Sequence, residues 1–151
     1  MKTTQYFSLA LCLLSLNACH LFKKESAQQT SDDMKQTNVI TDRKWKLVEL
    51  QGQPVADKIN GKEPFILLQK KDNRYSASGG CNGMGGTFTL QDHGRIKFSQ
   101  PISTMMACEN MDIEHGLSQA LITADNYSLN GDDLSLNKAR MAPLARFKAV
   151  K

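Results

Sequence analysis

Sulfur carries most of the chemistry this chain could perform. Cysteines stand at Cys12, Cys19, Cys81 and Cys108, and methionines cluster at Met84, Met105, Met106 and Met111. A thiolate at Cys81, with Asn82 beside it and His93 or His115 as base, would make a nucleophilic centre. No cysteine-protease signature surrounds it. The four thioethers are soft donors of the kind copper accepts. Methionine more often fills irregular core space, and that is the reading adopted. His20, His93 and His115 lack metal-ligand spacing. Ser103 and Thr104 have no Gly-x-Ser-x-Gly context. Asp132-Asp133 lacks the rest of a calcium loop. The run Gly79-Gly80-Cys81-Asn82-Gly83-Met84-Gly85-Gly86 ends without the lysine of a phosphate loop and is not spaced as a dinucleotide fingerprint. Its glycines are read as permitting positive φ and close backbone approach at a bulged hairpin. The sequence therefore yields no catalytic residue, no cofactor and no metal ligand.

The remaining cysteines take their meaning from the N-terminus. Lys2 precedes Tyr6 to Leu16, an almost wholly apolar run of eleven residues. As a helix it would span about 16 Å, roughly half a bilayer core of about 30 Å. A basic start and a short apolar run read as a secretory signal. The run closes on Leu16-Asn17-Ala18-Cys19, which resembles a bacterial lipobox, with Asn17 larger than usual for its slot. The resemblance implies that residues 1–18 are removed and that Cys19 carries a diacylglycerol. Acyl chains anchor at about 0.8 kcal/mol per buried CH₂. His20, standing where an Asp would favour inner-membrane retention in a Gram-negative host, points to the outer membrane, with the chain facing the periplasm.

Residues 19–42 are the lipidated terminus and a polar tether without a sustained apolar period. From His20 to Asp42 the tether would span about 25–30 Å if flexible. Residues 43–151 form one domain, which the chain's 151 residues can accommodate only once. Nineteen basic against fifteen acidic residues give a mild, dispersed excess of +4, and aromatics are 7%. Neither favours nucleic acid.

Within the domain, short strand patterns alternate with turn signals. Strands are expected at Trp45–Leu50, Phe65–Gln69, Arg74–Ser78, Thr87–Leu90 (Phe88 and Leu90 on one face), Arg95–Phe98, Tyr127–Leu129, Leu134–Leu136 and Leu144–Val150. Asn130-Gly131-Asp132-Asp133 reads as a four-residue hairpin loop. One helix is marked by Ile113, Leu117, Ala120, Leu121 and Ala124 at helical spacing. Glu109, Asp112 and Glu114 near its start suit the macrodipole. Such a count of short strands points to a sandwich or barrel, with the helix over an open end or face.

Once Cys12 is cut away and Cys19 acylated, Cys81 and Cys108 are an even remainder in an oxidising compartment, which argues for one disulfide. It would close a loop of 28 residues, 81 to 108 inclusive, worth about 3.5 kcal/mol on the chain-entropy estimate.

Trp45-Lys46-Leu47, Gly80-Cys81-Asn82, Ser103-Thr104-Met105-Met106-Ala107-Cys108 ahead of a helix, and Tyr127-Ser128-Leu129-x-Gly131-x-x-Leu134-x-Leu136 resemble, in order, the META domain of the HslJ-like heat-shock family. The likeness runs from Trp45 to about Lys148. Where the family often has a basic residue after the Thr of Ser-Thr, Met105 stands here. The resemblance implies an α+β fold: a small curled antiparallel β-sheet or incomplete barrel with one packed α-helix. It also implies a non-enzymatic role in envelope stress tolerance or secretion, through a cleft that takes a protein, a peptide or an apolar ligand. The expected partners are the membrane, through the anchor, and an envelope protein or peptide bound by a monomer. The alternative is an envelope enzyme built on Cys81 or on a carboxylate pair.

Overall fold

The structure, a computed structural model, describes residues 39–151. Strands β1 (Lys44–Leu50), β2 (Gln53–Pro54), β3 (Phe65–Gln69), β4 (Arg74–Ser78), β5 (Gly83–Gln91), β6 (Arg95–Phe98) and β7 (Ile102–Ser103) precede the helix α1 (Asp112–Thr123). Strands β8 (Asn126–Asn130), β9 (Asp133–Asn137) and β10 (Ala145–Ala149) follow it. Cys19, His20 and the lipobox lie outside the described residues.

The ring is closed, which corrects the expected α+β incomplete sheet. Strands run β1-β3-β4-β5-β6-β8-β9-β10, and β10 pairs back onto β1 from Trp45↔Ala149 to Leu50↔Ala145. All pairings are antiparallel, so this is an eight-stranded, predominantly β barrel. The short β2 and β7 are laid alongside β1 and β5. Closure depends on a bulge in β1, where the register with β10 shifts between Leu47 and Glu49. The extra residue bends the strand. On its other side β1 pairs with β3 at Lys44–Lys46 and with β2 at Glu49 and Leu50. Joining first strand to last removes the two edges an open sheet would present.

Alternation fills the interior. Trp45, Leu47, Ile66, Leu68, Tyr75, Phe88, Ile96, Phe98, Leu134, Leu136 and Phe147 point inward and are buried. Tyr75 and Phe98 meet edge to face, with ring centroids 5.2 Å apart. The Trp45 indole donates to the Ile40 carbonyl at 2.8 Å. That bond draws Ile40 and Thr41 into the buried set, so the folded unit begins ahead of residue 43. Leu90 departs from expectation and is 41% exposed. It sits at the tip of the β5–β6 hairpin, one position before the closing pair Gln91↔Arg95. The β8–β9 loop is two residues shorter than expected, because Asn130 and Asp133 pair and leave only Gly131-Asp132 between the strands.

Helix α1 lies against β1 and β6. These strands are diametrically opposed in the ring, so a helix that touches both crosses one end of the barrel. It buries Leu117, Ala120 and Leu121, with Ala124 just beyond. Asn110 Oδ1 accepts the Asp112 N–H at 3.1 Å and satisfies one free donor at its start. The first turn presses onto backbone: a Cβ on Gly79 would lie 2.3 Å from Glu114 Cα. At the next residue, Gly80 has φ +108 and a Cβ there would lie 2.4 Å from Ile59 Cβ. Close approach explains Gly79, and both close approach and positive φ explain Gly80.

Gly79→Ala should therefore destabilise the domain by about 2–3 kcal/mol, because helix backbone, not a flexible side chain, has to move. Urea unfolding measures it. Gly83→Ala is the control, since a Cβ at Gly83 meets nothing within 4 Å. Equal stabilities for the two variants would contradict this packing.

Candidate functional site

Between β5 and α1 the chain from Thr104 to Met111 runs without regular structure. Two anchors hold it. One is covalent: Cys81 and Cys108 are joined, with Cα atoms 6.0 Å apart. The other is Asn82, which is 1% exposed. Its Oδ1 accepts from Met106 N–H at 2.8 Å and from Thr104 Oγ1 at 2.8 Å. Its Nδ2 donates to the Met106 carbonyl at 3.1 Å and to Glu114 Oε1 at 2.9 Å. Its backbone N–H donates to Glu114 Oε2 at 2.6 Å. The carboxamide thus engages Met106 through both N–H and C=O, as a neighbouring strand would, and uses two acceptor and two donor positions. The Glu114 carboxylate is buried and spans both of Asn82's donors. Among the described residues it has no paired cation. A second tie fixes the helix start: Asn60 Nδ2 donates to the Asn110 carbonyl at 2.8 Å. Lys62 Nζ reaches the Cys81 carbonyl at 3.0 Å.

These anchors frame a cavity of about 420 Å³. Asn82, Met84 and Glu114 contribute from the strand and helix sides. The β7 loop contributes Pro101 and Ser103 to Ala107, and Met111, His115 and Ser118 complete the lining. Its rim carries exposed apolar side chains: Met105 is 99% exposed and Met106 half-exposed, and Ile102 on the adjoining β7 is 82% exposed. Strand β7 pairs with β5 through Met84↔Ser103 and Gly85↔Ile102. Among the described residues its opposite edge has no strand partner.

The structure separates the residues a thiol mechanism would need. Cys81 is bonded to Cys108, His93 sits in the β5–β6 turn with φ +60, and only His115 lines the cavity. Glu114 is the single carboxylate in that lining, so no carboxylate pair forms there. No group of three His, Cys, Asp or Glu that could hold a metal occurs among the described residues. Met84, from strand β5, and Met105, Met106 and Met111, from the segment before α1, all line this one cavity.

Glu114's role was missed in the sequence, where it was read as a dipole partner. The available signal was its place three residues before Leu117 and seven before Leu121, on the buried stripe.

Shifted ionisations lie away from the cavity. Arg43 donates to Asp132 at 2.6 Å and holds its carboxyl below the usual range. The same guanidinium lies 4.9 Å over the Trp45 ring. The Ala139 N–H and the Asn126 amide likewise lower Asp125. Carboxylates held low add stability above about pH 4 that is lost as pH falls through their folded values. Burial pushes the Tyr75 hydroxyl up, against a hydrogen bond to the Ser99 carbonyl.

A small closed β-barrel, capped at one end by a helix that a Gly-Cys-Asn turn and a disulfide hold in place, defines the class of the protein. The META domain family model matches residues 38–151, and the chain belongs to that family. Solved structures share the fold. One is the solution structure of a protein from Burkholderia xenovorans, 21% identical, with TM-score 0.60, covering 77% of this chain and 87% of its own. Another is the crystal structure of a DUF4847 family protein from Bacteroides vulgatus, 16% identical, with TM-score 0.51, covering 73% and 94%. A further solution structure aligns at 21% identity with TM-score 0.57 over 72% and 90%. A comparison with curated proteins finds no match.

Asn82→Ala removes the strand-like pairing of Met106 and takes from Glu114 its side-chain donor, leaving it only the backbone N–H of residue 82. We expect a loss of about 3 kcal/mol, read by urea unfolding of the oxidised protein. Thr104→Val, which removes one half-exposed hydroxyl contact, should cost about 1 kcal/mol or less. Equal losses for the two variants would contradict the central place given to Asn82.

Proposed function

We propose that this META-domain protein is a non-enzymatic envelope lipoprotein whose β7–α1 groove holds an extended apolar segment of another envelope protein. The observation that carries the reading is the β7 edge, without a strand partner among the described residues and exposing Ile102, beside a cavity lined by the exposed Met105 and Met106. Exposed apolar side chains gain free energy when covered, at about 25 cal/mol per Å². A bare strand edge offers main-chain hydrogen bonds to an incoming extended peptide. Methionine suits such a surface because its unbranched thioether adapts to different apolar partners. The signal and lipobox read from residues 1–19 supply the location: Cys19 anchors the chain in the outer membrane, and the segment before the barrel gives it reach. The monomer presents the groove to the periplasm. The enzyme alternative would need a free thiolate at Cys81, where the sulfur is bonded to Cys108, or a carboxylate pair, where the cavity lining offers Glu114 alone.

Site-specific photocrosslinking in cells tests this. A photoreactive residue at Met105 should give discrete adducts, and one at Ser128, itself exposed on β8, should not. Ile102→Asp should abolish the Met105 adducts, and Cys19→Ser should deplete them by releasing the protein from the membrane. Identical patterns from positions 105 and 128, or adducts indifferent to Ile102→Asp, would refute the groove as the binding surface.

A further inference from the structure

The same cavity has a second chemistry, independent of peptide binding. We propose that Met84, Met105, Met106, Met111 and His115 form a site for a soft monovalent cation, copper(I) in particular. Four thioethers and one imidazole line a single cavity of about 420 Å³, although they come from strand β5, the 104–111 loop and helix α1. Thioether sulfur selects copper(I) over hard divalent ions, and imidazole is compatible with it. The hard-donor alternative is poorly supplied: Glu114, the one carboxylate in the lining, already accepts both Asn82 donors.

Four of the five donors stand on fixed backbone. Met84 is held in β5 opposite Ala77 on one side and Ser103 on the other. Both backbone polar groups of Met106 are bound by Asn82. His115 belongs to α1, and its N–H donates to the Met111 carbonyl at 3.0 Å, which ties the fourth thioether's backbone to the helix. Preorganised donors of this kind lose less freedom on binding. Met105 differs, being 99% exposed. It stands at the mouth as a ligand free to fold over a bound ion. A large apolar side chain held wholly in water gains nothing for stability, and a role as the closing donor accounts for its position. The site needs no oxidation or reduction, because copper arrives and leaves as copper(I). The bridge between Cys81 and Cys108 keeps the nearest thiols out of coordination.

The test uses the mature chain with Cys19→Ser, which removes a competing thiol, and with the disulfide intact. Silver(I) serves as a redox-inert probe. Methionine methyl resonances are followed during titration, and copper(I) affinity is measured anaerobically against a chromogenic chelator. The expected result is saturation at one equivalent, with shifts at Met84, Met105, Met106 and Met111. Met141, exposed but outside the cavity, should stay unmoved. Met106→Leu and Met111→Leu keep size and apolarity and should each weaken binding tenfold or more, and Met141→Leu should not. Circular dichroism of each variant confirms the fold. Shifts confined to Met105 and Met141 without saturation, equal affinities for all three Leu variants, or tighter binding of zinc(II) than of silver(I) would each overturn the proposal.

Discussion

One buried carboxamide organises the part of this molecule that meets the outside. The wall formed by residues 104–108 belongs to no strand, so its backbone cannot rely on a ladder for its hydrogen bonds. Asn82 supplies them from a side chain, matching Met106 N–H and C=O while its remaining donor and its own backbone N–H go to Glu114. A buried polar group is tolerated only when satisfied. Here the satisfaction is mutual, since the loop, the helix and the glycine turn each fill positions the others leave open. Removing Asn82 or Glu114 leaves the other's buried polar atoms short of a partner, which is why such networks specify a single arrangement.

Around this network the barrel acts as frame. The bulge in β1 lets the chain's first strand meet its last, and the helix spans opposite strands to seal one end. The seal requires backbone to sit on backbone at Gly79, and the disulfide fixes the connection from the glycine turn to the residues just before the helix. A stiff scaffold carrying an irregular, apolar-mouthed segment is a common division of labour between stability and recognition. The placement of four thioethers on that segment and its neighbours follows from the same division.

Much of the frame was legible in the sequence. Alternation, one continuous apolar run at Phe65–Gln69 and turn signals located the major strands, and the spacing of Leu117, Ala120 and Leu121 located the helix. Counting cysteines by compartment paired Cys81 with Cys108, the pair the structure joins. Closure was not legible, because Trp45↔Ala149 links residues about a hundred positions apart and alternation carries no information on which strands pair. The two-residue strands β2 and β7 are too short to show a period. Ile40 escaped notice because its burial depends on one bond from the Trp45 indole. Asn82 was visible only as part of a motif, and Glu114 only as a charge. Their meaning lies in a contact across 32 residues. The four methionines were weighed together as copper donors and read instead as core filler, and only the fold shows that they share a cavity.

Amide hydrogen exchange of the oxidised protein tests the central claim most directly. Met106 is half-exposed and outside any strand or helix, so burial alone would not slow its N–H. If Asn82 Oδ1 holds it, that amide exchanges as slowly as those of β4 and β5, and together with the Asn82 amide, while the Met105 amide next to it exchanges freely. Rapid exchange at Met106, matching Met105, would contradict the account.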